Sequence, residues 1–135
     1  MTEIGLDKSQ DYGIIHLGNK GQSLFLLKEY GFPVPPGFII TTEVFRCAKI
    51  IASYRPARKN FREQVADQIA ALEKETGLQF GSPENALLLS VRSGSSISQP
   101  GMMDTLLNVG ISEKIAEGMG RHTGNAWFAW DNYRR

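Results

Sequence analysis

Between Leu87 and Thr105 the chain reads LLLSVRSGSSISQPGMMDT, an apolar run that stops at an arginine and opens into a loop rich in glycine and hydroxyls. Leu87, Leu88, Leu89 and Val91 predict a short buried strand, and Gly94, Pro100 and Gly101 break regular structure after it. Ser93, Ser95, Ser96 and Ser98 line the loop, with Thr105 just beyond. Hydroxyls, freed backbone N–H groups and the fixed charge of Arg92 together suit an oxyanion such as a polyphosphate. An unpaired guanidinium at the end of a buried strand is costly, so Arg92 needs either an acidic partner or a bound anion. Asp104 is the internal candidate. Met102 and Met103 read either as core filler or as adaptable contacts to a flat ring.

Helical spacing surrounds this strand. Gly18-Asn19-Lys20-Gly21 opens a predicted helix over residues 22–30, stopped by Gly31. Such a turn exposes first-turn N–H groups and a positive dipole end to an anion, with Lys20 as a mobile charge, or it is a plain turn. It is neither a Walker A loop nor a dinucleotide fingerprint. Pro33, Pro35, Pro36 and Gly37 form a stiff connector into a strand at 38–40. Thr41 or Thr42 caps a second helix whose face is Val44, Phe45, Ala48, Ile51 and Ala52, ended by Pro56. A third helix spans 60–76 with Phe61, Val65, Ile69 and Leu72 on one side. Residues 106–109 form another strand. Ser112 caps a helix through Met119, and a last helix starts near 123–125 and carries Trp127 and Trp130. Its pattern still runs at Arg134, which predicts a longer parent chain. The mixture lacks a βαβ rhythm, so the expected class is α+β, a short mixed or antiparallel sheet with flanking helices. Residues 1–110 form one lobe in this reading, and 111–135 begin a helical subdomain.

The 135 residues, 41% hydrophobic and 21% charged, suffice for a packed core without disulfide or metal staples. A net charge of +1 argues against a dedicated nucleic-acid binder. The local basic cluster of Arg55, Arg58, Lys59 and Arg62 reads as a solvated helix start rather than a phosphate patch. Cys47, the lone cysteine, reads as a small packed apolar group. His16 and His122 lack companions for a zinc site and read as surface or capping histidines. No carboxylate pair is placed to hold magnesium, so metal ligands are expected elsewhere. With no signal peptide and no apolar run of about 20 residues, a soluble cytoplasmic protein that does not contact membranes is expected.

At LGNKG (17–21), GFPVPPGFIITTE (31–43), LLSVRSG (88–94), PGMMDTLLNVG (100–110) and TGNAWFAWDNYRR (123–135) the chain resembles the N-terminal nucleotide-binding domain of pyruvate, phosphate dikinases. These blocks run almost end to end, and the junction of SVRSG with PGMMDT is specific. Phosphoenolpyruvate synthases and glucan, water dikinases share the arginine motif but look less similar at PGMMDT. The resemblance implies part of an ATP-grasp domain that binds Mg-ATP. It implies a reaction in which the β-phosphate reaches a histidine on another domain and then pyruvate, giving phosphoenolpyruvate, AMP and diphosphate. Lys20 matches the family's lysine near the phosphates, and Arg92, followed by Ser93 and Gly94, its phosphate-contacting arginine. Gly101, Met102, Met103 and Asp104, with Thr105 beside them, match the loop that closes over the triphosphate. The chain departs from the family at Asn19, Ser95-Ser96 and Gln99. Implied partners are the phosphohistidine domain and pyruvate-binding barrel of a full-length, homo-oligomeric enzyme, with no catalytic residue and no metal ligand in this segment. The alternatives are a non-catalytic nucleotide or polyphosphate module, a phosphoenolpyruvate synthase-like paralogue, or an interaction domain presenting Trp127 and Trp130.

Overall fold

A computed structural model describes residues 2–3, 14–93 and 105–135. They fall into two compact units divided at Leu72, within one helix. Each holds helices and a two-stranded antiparallel sheet, so the class is α+β.

The first unit opens with β1 (Thr2–Glu3), which pairs antiparallel with β2 (Phe38–Ile39), Thr2 opposite Ile39. Helix α1 (Ile14–Glu29) is two helical stretches joined at Gly18, whose φ of 69° and ψ of 167° lie in a region open essentially to glycine alone. The helix after this break therefore starts near Asn19, earlier than the spacing predicts. Leu17 and Phe25 are buried beneath it. Gly21 allows α1 to approach β2, because a Cβ there would stand 2.9 Å from Ile39 Cδ1. Tyr30 ends the helix by donating its N–H to Leu26 O, and Gly31 follows at φ 79°.

The expected second helix is instead two short ones, α2 (Thr42–Arg46) and α3 (Ala48–Ser53), separated at Cys47. Its supposed apolar face is largely in solvent: Phe45 is 84% exposed, and Ala48 and Ala52 are exposed as well. Cys47 is likewise exposed rather than packed. Helices this short place few turns against any neighbour, so helical spacing alone did not secure burial. Pro56 does not end a helix but sits in the first turn of α4 (Arg55–Thr76). Its missing N–H falls there among groups that have no intrahelical partner anyway. On α4 Phe61, Val65 and Ile69 are half-buried and Leu72 is buried, as the spacing predicts.

The second unit takes the end of α4 and a tight loop. Glu73 accepts the Phe80 N–H at 2.7 Å, and Gln79 donates its N–H to Asn85 O and accepts that of Leu87. Strand β3 (Leu89–Arg92) pairs antiparallel with β4 (Thr105–Val109) through a register shift between Leu89 and Val91. Leu87 is buried, but Val91 and Arg92 are exposed, so the strand is less buried than its composition predicts. A two-stranded ribbon has no further strand to cover it. Asn108 takes φ 53°, a left-handed conformation that asparagine tolerates, and its side chain donates to Asn132 O at 2.9 Å.

Helix α5 (Glu113–Thr123) is capped by the Ser112 hydroxyl, which accepts the Ile115 N–H, and ends on left-handed Gly124. It extends past the expected Met119 because Arg121 and His122 favour a helix C-terminus and Gly124 supplies the stop. Asn125 caps α6 (Ala126–Arg134) by accepting the Phe128 N–H at 2.9 Å. Ile115, Ala116 and Ala129 form the core here. Gly120 lies against α6, since a Cβ there would stand 3.6 Å from Ala129 Cβ. Trp127 and Trp130 face outward.

On α6 the Asp131 carboxylate accepts from Arg134 Nη2 at 2.8 Å and Arg135 Nε at 2.9 Å, and these bonds hold its pKa below the ordinary 3.8. The group's folded pKa thus lies below its unfolded value, so its contribution is present above about pH 4 and fades as pH falls through the depressed folded value. Acid titration should perturb Trp130 fluorescence in that window, and Asp131→Asn should abolish the step. An unchanged step in the variant would assign it to another carboxylate.

Candidate functional site

Among the described residues, the sequence-expected site residues lie in two places, one in each unit. Lys20 sits in the first helical turn after Gly18, with its side chain exposed. Gly18 and Gly21 are buried on either side of it. The left-handed, extended Gly18 turns the chain sharply, so the first N–H groups of an eleven-residue helical stretch stand at the turn with Lys20 among them. Ser23 steadies that turn by donating its hydroxyl to Asn19 O at 2.8 Å.

Glu43 stands close to the same turn. Its Oε1 lies 3.8 Å from His16 Nδ1 and 3.0 Å from Arg46 Nη1, so one carboxylate faces both the start of α1 and its own helix. The sequence showed Glu43 only as a favourable first-turn acid. Nothing in residue spacing pairs it with His16, because that contact depends on the β2–α2 connection folding back.

In the second unit, Arg92 ends β3 and stands opposite Thr105, the first residue of β4, with Ser93 following. The ribbon thus brings Arg92 and Thr105 together, thirteen positions apart in sequence. Both are exposed. The burial argument for an obligatory partner of Arg92 therefore lapses, since a solvated guanidinium carries little desolvation cost. Among the described residues Arg92 forms no ion pair. Gly94, Gly101, Met102, Met103 and Asp104 lie outside the described residues, as do Ser95, Ser96 and Ser98.

Among the described residues no group of three or more His, Cys, Asp or Glu could hold a metal ion, and no helix is long and apolar enough to cross a membrane. An open depression of about 420 Å³ in the second unit is lined by Pro83, Glu84, Gly118, Arg121 and His122, none of them an expected site residue. His122 is in the last turn of α5, the position expected of a capping histidine.

No protein-family model matches the chain. Curated proteins do. The chain is 44% identical over 119 residues to a pyruvate, phosphate dikinase of Entamoeba histolytica, 45% to that of Rhizobium meliloti and 43% to that of Clostridium symbiosum. Each match covers 88% of this chain and 13% of the relative. The chain is thus related by sequence to pyruvate, phosphate dikinases along most of its own length, and spans about an eighth of theirs.

Proposed function

We propose that this chain supplies part of the ATP site of a pyruvate, phosphate dikinase-like phosphotransferase. The observation that carries the reading is the 43–45% identity to dikinases over 119 residues. Two local features support it. The Gly18 turn presents Lys20 with helix N–H groups, and the β3–β4 ribbon presents Arg92 with Thr105 at the mouth of the loop. In the proposal the surrounding domain is of the ATP-grasp type, the protein is cytoplasmic, and residues 1–110 form one lobe.

The proposed roles of these side chains are to bind and position. Phosphoryl transfer needs charge stabilisation and alignment more than covalent help from the protein. Lys20 supplies a point charge to phosphate oxygens, and Arg92 a planar pair of donors. Ser93 and Gly94 accompany Arg92 at the phosphates, and Gly101, Met102, Met103 and Asp104, with Thr105 beside them, form the proposed closing loop. The described residues gather no cluster of three or more metal-binding side chains, and the metal is proposed to arrive on ATP and be held mostly by residues of other segments. The histidine acceptor and the pyruvate site are likewise proposed for other domains. On this reading the chain alone binds ATP weakly and does not turn it over.

Calorimetric titration with Mg-ATP tests the reading. Lys20→Ala and Arg92→Ala should each weaken binding about tenfold, the scale of a lost charged hydrogen bond. Both residues are exposed, so the fold should survive both changes. Unchanged affinity in both variants would remove the phosphate-clamp assignment. Formation of phosphoenolpyruvate by these 135 residues alone would overturn the division of labour.

A further inference from the structure

The Lys20 turn is held from outside its own helix, and the brace comes from the β2–α2 segment. Two contacts make it. Gly21 and Ile39 meet so closely that a single added carbon on Gly21 would stand 2.9 Å from Ile39 Cδ1. Four residues past Ile39, Glu43 places one carboxylate oxygen 3.8 Å from His16 Nδ1, two residues before the Gly18 break. The break is thus flanked by an apolar contact on the Gly21 side and a polar one on the His16 side. Both come from the same short stretch of chain.

Geometry gives this arrangement a consequence. Gly18 has more accessible backbone states than any other residue type, so it does not by itself hold the turn at one angle. The two helical stretches of α1 are free to change their mutual angle at Gly18 unless each is fixed to a third element. Ile39 fixes the stretch after the break and Glu43 the stretch before it. We infer that Glu43 is a positioning residue for the Lys20 turn, acting through His16. It needs no contact with a ligand. The inference deepens the proposed ATP site and rests on that reading only for its effect on binding.

The bond between Glu43 and Arg46 gives the necessary control. It lies within α2, so a role of Glu43 confined to that helix would be mimicked by Arg46→Ala. A bridge to α1 would instead be mimicked by His16→Gln.

Hydrogen exchange on the full 135-residue chain tests the brace without any ligand. The reporters are the backbone amides of residues 22–25, the first that can bond within the helix after the break. Glu43→Gln and His16→Gln should each speed their exchange about threefold, the scale of one half-exposed polar contact. The double variant should be no faster than either single one, and Arg46→Ala should leave these amides unchanged. Unchanged exchange in Glu43→Gln, additive effects, or an equal effect from Arg46→Ala would overturn the inference.

Mg-ATP titration then connects the brace to the site. Glu43→Gln should weaken binding about threefold in the native background and by less with Lys20→Ala already present. If Lys20→Ala itself changes nothing, the ATP-site reading fails while the exchange result still decides the brace. An equal loss from Glu43→Gln in both backgrounds would show that Glu43 does not act through the turn.

Discussion

Gly118→Ala is expected to destabilise the second unit by about 2 kcal/mol, although the same change inside an ordinary helix stabilises by about 1 kcal/mol. Gly118 is buried in α5, and a Cβ built on it collides with the carbonyl oxygen of Pro83. That neighbour is backbone, anchored by the loop in which Gln79 bonds to both Asn85 and Leu87. It cannot swing aside as the tip of a side chain would. Helix α5 or the Pro83 loop must therefore move, and Ile115 and Ala116, two residues of this unit's core, move with the helix. Gly120 is the internal comparison. It lies two residues along the same helix, but a Cβ there would stand 3.5 Å from Ala126 Cα and 3.6 Å from Ala129 Cβ, ordinary contact distances. Gly120→Ala should thus be neutral or stabilising. Urea unfolding followed by the fluorescence of Trp127 and Trp130 reads both variants. Equal midpoints for the two would mean that the Pro83 loop yields freely and the close approach carries no energy.

That pair of glycines also marks what a sequence can and cannot disclose. Gly118 stands inside the expected helix and Gly120 one residue past its expected end, and only the fold separates the one that must be glycine from the one that need not. Capping was legible in part: Ser112 accepts the Ile115 N–H as a hydroxyl cap should, whereas Thr41 precedes α2 without a side-chain cap bond and the amide cap at Asn125 was not foreseen. Strands β2, β3 and β4 were legible too, because β-branched and leucine runs bounded by glycine leave few alternatives, whereas β1 lies in a polar stretch with no strand signal. Burial was not. Phe45 and Val91 have the spacing of core residues, yet α2 and the β3–β4 ribbon are too small to enclose them. Periodicity reports that a face is apolar and leaves open what covers it.

The candidate site divides in the same manner. Lys20 and Arg92 were visible as charges close to glycines, and the loop after Arg92 read as suited to an oxyanion on its residues alone; their assignment to ATP came from the resemblance. An expected buried strand end demands a partner for Arg92, and its exposure in the ribbon withdraws that demand. The backbone of Gly18 and the tie between His16 and Glu43 were invisible, since a glycine does not announce its torsion angles and a contact 27 positions apart has no local signature.

Gly18→Ala should therefore act differently from the same change at Gly31. At φ 69° and ψ 167° an alanine costs about 1–3 kcal/mol if the turn is kept. A cheaper outcome is available. The residues on both sides are already helical, so an alanine at 18 can take ordinary helical angles and fuse the two stretches. Fusion swings the start of α1 relative to the stretch bearing Lys20 and pulls either Gly21 from Ile39 or His16 from Glu43. Helix content by circular dichroism should then stay constant or rise while Mg-ATP affinity falls more than tenfold, beyond the loss of the lysine alone. Gly31 supplies the contrast, with φ 79° and no atom within 4 Å of a built Cβ. Gly31→Ala carries the strain of a left-handed position but lies at the far end of the helix, so it should lower stability and leave ATP binding unchanged. Should Gly31→Ala weaken ATP binding as much as Gly18→Ala, the loss would reflect general destabilisation, and the Gly18 turn would have no special part in holding the phosphates.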